Sequence, residues 1–476
     1  MTVDNAYQDT TQRGVDLVVG LGASGYSCAR FLTRQGREIR VLDSRLEPPY
    51  ATRLRETLPD VDVAFGEFDD ASLSDVGRVI TSPGIPSSVP LLQRAFEQGL
   101  EVISDIELFA QAAPAHVVGI TGSNGKSTVT SWIAHVLNEA GFDCLCGGNL
   151  GVPALDLLDN EIPDYYVLEL SSFQLERTHT LHLKAAAILN IGVDHIDHHG
   201  DLESYQNAKW RILDHCETAV LYAPLAQSAH FSGVQAHVPN VVLYGADAAG
   251  ELVGNESNAA QWTWHLSWSA AQADGQPGQG WLCREGQRLL PTSVLKVMGR
   301  HNHLNALAVL ALAECCGLEF TQIVEGMTSF AGLDHRMQWV GESRGVTWIN
   351  DSKGTNSDAT IAALSALDGG VVLIAGGQAK GDDFSRLADA LVAQPQVSAV
   401  ILIGADADRI ERALSEREYA HNIVHAASME EAVSQAARHA REGDTVLLSP
   451  ACASFDMFDN YEARGEAFMQ AWRALI

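Results

Sequence analysis

The segment 119–128, with the sequence GITGSNGKST, restricts the possible folds of this chain more than any other stretch. It follows an apolar, strand-like run at 116–120 and precedes a helical pattern at 129–140. A glycine-rich turn between a strand and a helix directs backbone N–H groups towards phosphate, and it is typical of chains in which strands and helices alternate. The segment therefore predicts an α/β fold with a phosphate-binding loop.

The last residues of this segment carry side chains suited to a nucleotide. Lys126 can reach the β- and γ-phosphates, and the hydroxyl of Ser127 or Thr128 can bind Mg²⁺. The generic phosphate-loop pattern has four residues between its glycines, whereas five separate Gly119 from Gly125. The strand and the helix on either side still favour a phosphate loop over a chance glycine turn.

The charge balance of the chain is strongly acidic. Its formal net charge is −29, with 60 acidic residues against 31 lysines and arginines, of which only six are lysines. Nucleic-acid binding needs a basic surface that releases counterions, so this balance argues against nucleic acid as a partner. A phosphate loop nevertheless implies anionic substrates, so we expect the few lysines, together with Mg²⁺, to be concentrated at the site.

Length and composition bound the class of protein. A chain of 476 residues is long enough for about three domains. No apolar run approaches the ~18 residues of a membrane span, and the polar N-terminus lacks the apolar stretch of a secretory signal. The eight cysteines are dispersed without a zinc-finger spacing, so we expect reduced thiols. We therefore expect a cytoplasmic protein without membrane insertion. We also expect a monomer.

Three segments of alternating strand and helix patterns divide the chain. Segment 1–104 predicts a Rossmann-like domain. Segment 105–332 opens with the phosphate loop and predicts a central P-loop ATPase-type domain, within which the stretch 227–287 fits β-hairpins or a surface insertion. Segment 333–476 repeats the strand–helix pattern and predicts a second Rossmann-like domain with an open parallel sheet. The fold class is therefore α/β with three domains.

A second glycine loop follows the first predicted strand. The sequence GLGASG at 20–25 opens a helix, and Asp43 ends the next strand, which matches the dinucleotide fingerprint. An NAD-dependent dehydrogenase is therefore a rival hypothesis. A UDP-sugar carries the same diphosphate as NAD, so this loop does not separate the two, but hydride transfer has no use for the loop at 119–128. The turn from Ser82 to Gly84 follows the third strand and adds a further candidate contact.

Acidic and histidine residues follow two further apolar strands. Glu169 ends one of them, where a nucleotide-bound Mg²⁺ needs a hard oxygen ligand. The other is followed by 190–199, NIGVDHIDHH, in which we interpret His195 as a contact to a second Mg²⁺. Zinc is the less favoured interpretation, because so dense a run of ligands is seldom a closed tetrahedral site.

Lys209 lies on a predicted helix, in the sequence YQNAK. As an ammonium it would offer a charge to phosphate but would repel a metal ion. As a carbamate formed with CO₂ it would instead be an anionic oxygen ligand. A surface lysine is the third interpretation, and the residues alone leave all three open.

Nine motifs in a fixed order connect the chain to a known family. They are TGSNGKST, GGNLGVPAL (147–155), ELSSFQLE (169–176), NxxxDHxD (190–197), YxxAK (205–209), GRHNHLNA (299–306), LDHR (333–336), NDSKGTN (350–356) and SPACASFD (449–456). With them the chain resembles the Mur ligases from about Gly20 to its C-terminus. Three of these motifs point to the member that adds D-glutamate, and the DNPR motif of the diaminopimelate-adding member is absent.

The resemblance implies an activity and its cofactors. The activity is ATP-dependent, ADP-forming ligation of D-glutamate to UDP-N-acetylmuramoyl-L-alanine through an acyl phosphate, in peptidoglycan precursor synthesis. The cofactors are two Mg²⁺ ions and a carbamylated Lys209. Another Mur-type ligase and a folylpolyglutamate synthetase-like ligase are alternatives with the same chemistry, although the latter does not explain the N-terminal domain. A non-catalytic nucleotide-binding module is less compatible with the metal and lysine positions.

The resemblance also implies a role for each matching residue. The catalytic residues are Lys126, Glu169, His195 and Lys209, and the metal ligands are Ser127, Glu169, His195 and Lys209. The residues that bind ATP are Gly122, Ser123, Asn124, Gly125, Lys126, Ser127, Thr128, Asn302, Asn305, Arg336 and Asp351. The UDP end is lined by Gly22, Ala23, Ser24, Gly25, Asp43, Ser44, Arg45, Ser82, Gly84 and Asn149. D-Glutamate is held by Lys353, Thr355, Lys380, Ser454 and Tyr461.

The chain departs from the family pattern at a few of these positions. Tyr461 stands where an apolar aromatic residue is expected, and Ser44 stands where threonine is common. Gly192 and Val193 replace a frequent Thr-Glu pair in the motif that begins at Asn190. These departures concern individual contacts and leave the implied reaction unchanged.

Overall fold

The computed structural model describes residues 14–66, 73–192, 196–246, 263–268, 279–297, 299–367, 369–379 and 383–476. The described residues contain three β-sheets. The chain divides into two compact units, one formed by residues 1–291 and 304–327 and the other by 292–303 and 328–476.

The first sheet has five parallel strands in the order β3-β2-β1-β4-β5. Its strands are β1 (Val15–Val19), β2 (Ile39–Asp43), β3 (Asp62–Phe65), β4 (Val76–Thr81) and β5 (Glu101–Ser104). The helices of this region are α1 (Ala23–Arg34), α2 (Ala51–Thr57), α3 (Pro90–Glu97) and α4 (Asp105–Ala112). The strand order reverses direction at β1, and such a switch point opens a crevice for a ligand outside the carboxyl ends of the strands.

The second sheet has nine strands in the order β14-β13-β12-β11-β10-β9-β6-β8-β7. Its strands are β6 (His116–Thr121), β7 (Cys144–Gly148), β8 (Tyr165–Glu169), β9 (Ala185–Ile188), β10 (Thr218–Tyr222), β11 (Asn240–Ala246), β12 (Trp264–Trp268), β13 (Gly280–Arg284) and β14 (Gln287–Pro291). The helices are α5 (Lys126–Glu139), α6 (Ala154–Leu157), α7 (Ser172–Leu175), α8 (Ile196–His199), α9 (Leu202–Trp210), α10 (Ala229–Val234), α11 (Arg300–Cys315) and α12 (Phe320–Ser329). Strands from β7 to β12 pair in parallel, whereas β12, β13 and β14 pair antiparallel.

The third sheet has six strands in the order β15-β16-β20-β17-β18-β19. Its strands are β15 (Gln338–Ser343), β16 (Val346–Asn350), β17 (Val371–Gly376), β18 (Val397–Ile403), β19 (Asn422–His425) and β20 (Thr445–Leu448). The helices are α13 (Ser357–Ser365), α14 (Ser385–Val392), α15 (Ala407–Ser415), α16 (Met429–His439) and α17 (Tyr461–Leu475). Only the edge pair β15 and β16 is antiparallel.

Helices cover both faces of the third sheet, and its strands are accordingly apolar throughout. All six residues of β17, VVLIAG, are buried. Alternate residues belong to two different cores: Leu373 packs with residues of α14 and α15, whereas Ile374 packs with residues of α16 and α17. Parallel strands buried on both faces read as continuous apolar runs, which is why the sequence predicted this sheet.

The predicted fold class is confirmed, because the chain is α/β with three sheets in the expected order. The boundaries at 104 and 332 stay predictions. The described part of 227–287 contributes β11, β12 and β13 to the second sheet itself. Among the described residues, no helix is both long and apolar enough to cross a membrane.

Candidate active site

Two helices that follow glycine loops lack a side-chain cap at their N-termini. The N-cap of α1 is Gly22 and that of α5 is Gly125. Several other helices are capped by a side chain, as α17 is by Asn460, whose Oδ1 accepts the N–H of Ala463 at 2.7 Å. A long helix whose first N–H groups receive no side-chain oxygen offers them, with the positive end of its dipole, to an anion.

The backbone of the loop before α5 requires glycine. Gly122 and Gly125 have φ angles of +157° and +84°. A Cβ atom on Gly125 would lie 2.6 Å from the Oδ1 of Asn305. The structure thus brings Asn305, which the resemblance assigned to ATP binding, against the phosphate loop.

Side chains from the segment after β9 hold this loop in place. Asn190 accepts the N–H of Asn124 at 2.8 Å and donates to its carbonyl at 3.0 Å. The hydroxyl of Ser123 contacts the Tyr205 hydroxyl at 2.8 Å and accepts the N–H of Gly192 at 2.8 Å. The sequence reasoning assigned no role to Asn190 or Tyr205, although both stand in the motifs NxxxDHxD and YxxAK.

Two lysines converge on one carbonyl oxygen of the loop. The Nζ atoms of Lys126 and Lys209 each donate to the carbonyl oxygen of Gly122 at 2.9 Å. Lys209 is buried, contacts the Thr121 hydroxyl at 3.4 Å, and lies 4.8 Å from the centre of the Tyr205 ring. Lys209 is therefore not a surface lysine, and one of the three interpretations from the sequence is excluded.

Glu169 has one carboxylate oxygen engaged and one available. It ends β8 and is 3% exposed. Its Oε1 accepts from the Asn149 amide at 2.6 Å, whereas its buried Oε2 has no hydrogen-bond partner among the described residues. A buried carboxylate oxygen without a partner costs free energy unless a cation binds it. The carboxylate therefore fits the predicted Mg²⁺ ligand.

The first glycine loop has a similarly close-packed backbone. Gly20 has a φ angle of +93°, and a Cβ atom on Gly25 would lie 1.8 Å from the carbonyl oxygen of Gly20. Ser82, predicted to line the UDP end, donates to the same oxygen at 2.9 Å. Ala23 and Ser24 begin α1, and Ser44 and Gly84 are exposed at the same carboxyl edge of the first sheet.

Asp43 is saturated by the protein itself. Its Oδ1 accepts both the backbone N–H and the Nε of Arg45 at 2.9 Å, and its Oδ2 accepts from Arg45 Nη2 at 2.6 Å and from the N–H of Leu21 at 2.7 Å. Burial would raise the pKa of Asp43, but these hydrogen bonds outweigh burial and hold the pKa below its ordinary value. A carboxylate has about four acceptor positions, and in Asp43 all of them are used.

Several residues that were predicted to bind ATP belong to the unit that contains the third sheet. Asp351 follows β16, and its Oδ2 accepts from the Ser449 hydroxyl at 2.7 Å while its Oδ1 accepts the N–H of Met337 at 3.2 Å. Burial raises the pKa of Asp351 to about 6. Arg336 follows His335 in a tight turn where His335 and Met337 both have positive φ angles. The unit that contains these residues also contains Asn302, which is buried.

Lys353 and Tyr461 form a pair in this unit. Lys353 Nζ donates to the Tyr461 hydroxyl at 3.3 Å and lies 5.0 Å from the ring centre. Burial and the neighbouring Glu462 raise the pKa of Tyr461 to about 12. Thr355 donates its N–H to the carbonyl of Lys353, and Ser454 is buried. His195 and Lys380 lie outside the described residues, so the structure does not place them.

Arg464 is a buried cation that the sequence reasoning missed. It is 1% exposed, and it donates to the carbonyl of Ser352 at 2.8 Å, to the Ser352 hydroxyl at 3.0 Å and to the carbonyl of Cys452 at 3.0 Å. Burial lowers the pKa of Arg464 to about 10. It therefore joins the loop after β16 to the loop after β20. An arginine inside the amphipathic pattern of α17 was the only available signal.

The geometry defines a class of protein before any comparison. A phosphate loop on a parallel sheet, a buried carboxylate with a free oxygen and two converging lysines together define an α/β nucleotide-phosphate-binding enzyme. Three family models match the chain: the Mur ligase MurD-like, N-terminal domain at 15–104, the Mur ligase middle domain at 120–313, and the Mur ligase, glutamate ligase domain at 335–452.

Curated relatives match over nearly the whole chain. The UDP-N-acetylmuramoylalanine–D-glutamate ligase of Nitrosococcus oceani is 44% identical over 97% of this chain and 96% of the relative. The enzymes of the same name from Methylobacillus flagellatus and Legionella pneumophila are 42% and 41% identical, over 96% of this chain and 96% and 99% of the relatives. The chain belongs to the Mur ligase family.

Solved structures share the fold at low sequence identity. The UDP-N-acetylmuramate-alanine ligase MurC of Thermotoga maritima aligns with a TM-score of 0.53 and 19% identity, over 97% of this chain and 100% of that one. A UDP-N-acetylmuramoyl-L-alanyl-D-glutamate–2,6-diaminopimelate ligase aligns with a TM-score of 0.56 and 19% identity, over 86% of both chains. These likenesses support the three-sheet architecture.

Proposed function

We propose that this protein joins D-glutamate to UDP-N-acetylmuramoyl-L-alanine in an ATP-dependent reaction, as a step of peptidoglycan precursor synthesis. The observation that carries the proposal is that the chain has two glycine loops suited to phosphate and that the side chains beside the two loops differ. One loop has Lys126 and Glu169 beside it, and the other has a saturated Asp43. Relatives that share more than 40% of the sequence over nearly its whole length carry the name of this reaction.

The reaction needs ATP because a carboxylate is a poor acyl donor. The alanyl carboxylate takes the γ-phosphoryl group of ATP, which gives an acyl phosphate and ADP. The amine of D-glutamate attacks the acyl carbon, and the tetrahedral intermediate collapses to the amide and phosphate, with loss of a proton from nitrogen. Every reactant is an anion, so positive side chains offset repulsion and developing charge. We assign this task to Lys126, Arg336, Lys353 and Lys380.

Mg²⁺ fits the donors at the phosphate loop. The partnerless Oε2 of Glu169 and the hydroxyl of Ser127 are hard oxygen ligands of the kind that Mg²⁺ prefers. Bound with ATP, the ion would supply positive charge at the transferred phosphoryl group. We assign a second Mg²⁺ to His195 and Lys209.

We propose that Lys209 acts as a carbamate. The ammonium groups of Lys126 and Lys209 share the carbonyl oxygen of Gly122, and like charges this close disfavour ionisation of both. The neutral amine of Lys209 adds to CO₂ and releases one proton, which leaves an anionic carbamate. This change removes the repulsion from Lys126 and provides an oxygen ligand next to the loop.

Asp43 argues against the dehydrogenase alternative. NAD-binding folds use an acid at this position to accept hydrogen bonds from ribose hydroxyls. The two carboxylate oxygens of Asp43 already accept four hydrogen bonds, three from Arg45 and one from Leu21. We propose instead that the exposed guanidinium of Arg45, held in place by Asp43, contacts the UDP end of the substrate.

Phosphate release measured with purified protein tests the function. We expect release only when ATP, Mg²⁺, UDP-N-acetylmuramoyl-L-alanine and D-glutamate are all present, and little with L-glutamate, L-alanine or diaminopimelate in place of D-glutamate. Full release without the UDP substrate, or reduction of NAD, would contradict the proposal. Activity with a folate and glutamate would favour the folylpolyglutamate synthetase alternative. We further propose a cytoplasmic monomer, which sedimentation and cell fractionation would test.

A further inference from the structure

Three potential metal ligands lie together outside the residues assigned to Mg²⁺. Glu176 directly follows α7, and His198 and His199 end α8. One ligand atom from each side chain lies within 4.8 Å of the other two. All three residues are partly buried, and the His198 side chain is only 8% exposed.

The distances in the cluster are close to those of a metal site. His198 Nε2 lies 3.3 Å from Glu176 Oε2, and His199 Nε2 lies 3.0 Å from the Ser172 hydroxyl. Ligand atoms bound to tetrahedral Zn²⁺ at about 2.0–2.1 Å are roughly 3.4 Å apart. The pair of Glu176 and His198 already has this spacing, so only His199 has to turn from Ser172 towards the ion.

Neighbouring side chains orient the ligands. Ser87 donates to Glu176 Oε1 at 2.9 Å and accepts from Arg177 Nη2 at 2.7 Å, which leaves Oε2 directed to the histidines. The Phe173 ring packs against both imidazoles, with centroid distances of 4.1 and 5.4 Å. Such outer contacts hold ligands in the geometry that a metal requires.

The surroundings of Glu176 favour its carboxylate form. Burial would raise its pKa, but the hydrogen bond from His198 and the charge of Arg177 hold the pKa at about 2. A metal ligand set needs a carboxylate anion, and Glu176 provides one.

We propose that Glu176, His198 and His199 form a binding site for a transition-metal ion of the Zn²⁺ type, with a fourth position open to water. Two imidazoles and one carboxylate suit such an ion, whereas Mg²⁺ prefers an octahedron of oxygen ligands. The ion replaces the hydrogen bond between His198 and Glu176 and links the end of α7 to α8. The proposal is independent of the proposed function, because that reaction uses none of the three residues.

Titration of the full-length protein with Co²⁺ tests the proposal. Saturating Mg²⁺ is kept present so that the oxygen-rich sites are filled, and the visible d–d absorption of Co²⁺ is recorded. We expect one tetrahedral Co²⁺ per chain, which Zn²⁺ displaces, without the near-ultraviolet band of a thiolate ligand. Glu176→Gln, His198→Gln and His199→Gln should each weaken binding at least ~10-fold, which is the lower end of the effect of lost metal-site contacts.

His425→Gln is the matched control. His425 belongs to an exposed cluster with Asp408 and Glu411 that also places three potential ligands together. Its loss should leave the Co²⁺ spectrum and affinity unchanged. Binding that survives the double variant His198→Gln/His199→Gln, or that disappears in His425→Gln, overturns the proposal, as does a thiolate band.

A measurement on the unmodified protein covers the case in which a variant does not fold. Crystals soaked in Zn²⁺ are examined for anomalous scattering at the zinc edge. A peak between the three side chains supports the proposal. The absence of a peak there, with the protein otherwise ordered, refutes it.

Discussion

At the scale of single residues, the candidate site combines a buried carboxylate with two lysines that converge on the phosphate loop. Glu169 presents one carboxylate oxygen without a partner among the described residues. Lys126 and Lys209 donate to one and the same carbonyl. A buried carboxylate oxygen without a partner and two ammonium groups at one carbonyl are unfavourable arrangements, and we propose that a bound cation relieves the first and phosphate or CO₂ the second. Such unfavourable groups are expected where binding supplies the missing partner.

Glu169→Gln should raise the Mg²⁺ concentration needed for half-maximal ligase activity by about tenfold or more. The amide keeps an oxygen for the Asn149 hydrogen bond but loses the anionic oxygen that a cation binds. The assay is phosphate release as a function of Mg²⁺ concentration. Glu161→Gln, at an exposed position, is the control and should behave as the unmodified protein. An unchanged Mg²⁺ requirement in Glu169→Gln would show that Glu169 is only structural.

Lys209→Ala should be folded but nearly inactive, and formate or acetate should partly restore turnover by supplying the missing carboxylate. The variant Lys209→Arg should also be nearly inactive, because arginine keeps a positive charge and does not add CO₂. Lys184→Ala is the control, since Lys184 is a surface lysine paired with Glu217 at 2.8 Å. An active Lys209→Arg variant, with no mass increase of one CO₂ on the unmodified protein, would rule the carbamate out.

At the scale of elements, the glycine loops decide what the helix N-termini can bind. Helices α1 and α5 start at glycines without a side-chain cap, whereas several other helices are capped by a Ser or Asn side chain, as at Ser104, Asn356 and Asn460. A capping oxygen would compete with phosphate for the same N–H groups. A glycine at the N-cap of α1 and α5 therefore places no side-chain oxygen in competition with a phosphate.

Gly125→Ala should weaken ATP binding at least ~10-fold, because the new Cβ meets the Oδ1 of Asn305 at 2.6 Å and displaces the loop. Gly141→Ala is a closely matched control. Its φ angle of +90° imposes a backbone strain similar to that at Gly125, of roughly 1–2 kcal/mol, but a Cβ there meets nothing within 4 Å. Both variants should lose similar thermal stability, while only Gly125→Ala loses ATP affinity in a titration. Equal ATP affinities would contradict the clash.

Arg464→Met should lower the free energy of unfolding by at least about 2 kcal/mol. It removes three hydrogen bonds from a buried cation to Ser352 and Cys452, which contribute about 1.5–3 kcal/mol each. Because these loops carry Lys353 and Ser454, the KM for D-glutamate should rise more than kcat falls. Urea unfolding and steady-state kinetics measure the two effects. Arg386→Met, in an exposed ion pair with Asp358, should change stability by less than about 1 kcal/mol.

A KM for D-glutamate that is unchanged in a folded Arg464→Met variant would limit Arg464 to a structural role. A fall in kcat alone would indicate that the two loops serve the reaction step and not the binding of the amino acid.

At the scale of the whole molecule, buried carboxylates shape the dependence of stability on pH. Burial raises the pKa of Asp105 to about 6, although hydrogen bonds from Gln174 and Ser24 oppose the shift. An acid whose pKa is higher in the folded state than in the unfolded state destabilises the protein as pH rises between the two values. Ionisation of Asp105 therefore lowers the free energy of unfolding progressively as the pH rises from about 4 to about 6. Above that range the full destabilisation remains.

Asp105→Asn should raise the free energy of unfolding, relative to the unmodified protein, by more at pH 7 than at pH 4. The expected difference in the free energy of unfolding is about 1–3 kcal/mol, since one pKa unit corresponds to about 1.4 kcal/mol. Urea unfolding at both pH values gives the comparison, with the exposed Asp60→Asn as the control. The same difference at both pH values would mean that Asp105 does not titrate in this range.

Local sequence patterns were sufficient for the architecture and for the two loops. Apolar runs such as that of β17, and glycines at positive φ such as Gly20 and Gly125, are properties of short segments. A helix, a doubly covered strand or a tight turn depends mainly on residues within a few positions of one another. For this reason the order of elements and the candidate loops could be predicted without a structure.

Only the tertiary structure determined which residues far apart in the sequence form hydrogen bonds with one another. The contacts of Asn190 with Asn124 span 66 positions, those of Lys209 with Gly122 span 87, and those of Arg464 with Ser352 span 112. The saturation of Asp43 and the free oxygen of Glu169 depend on which donors the folded chain brings near each atom. Sequence alone determined which residues are available for such contacts, whereas packing of the sheets and helices determined the hydrogen bonds that each one makes, because periodicity carries no information across such separations.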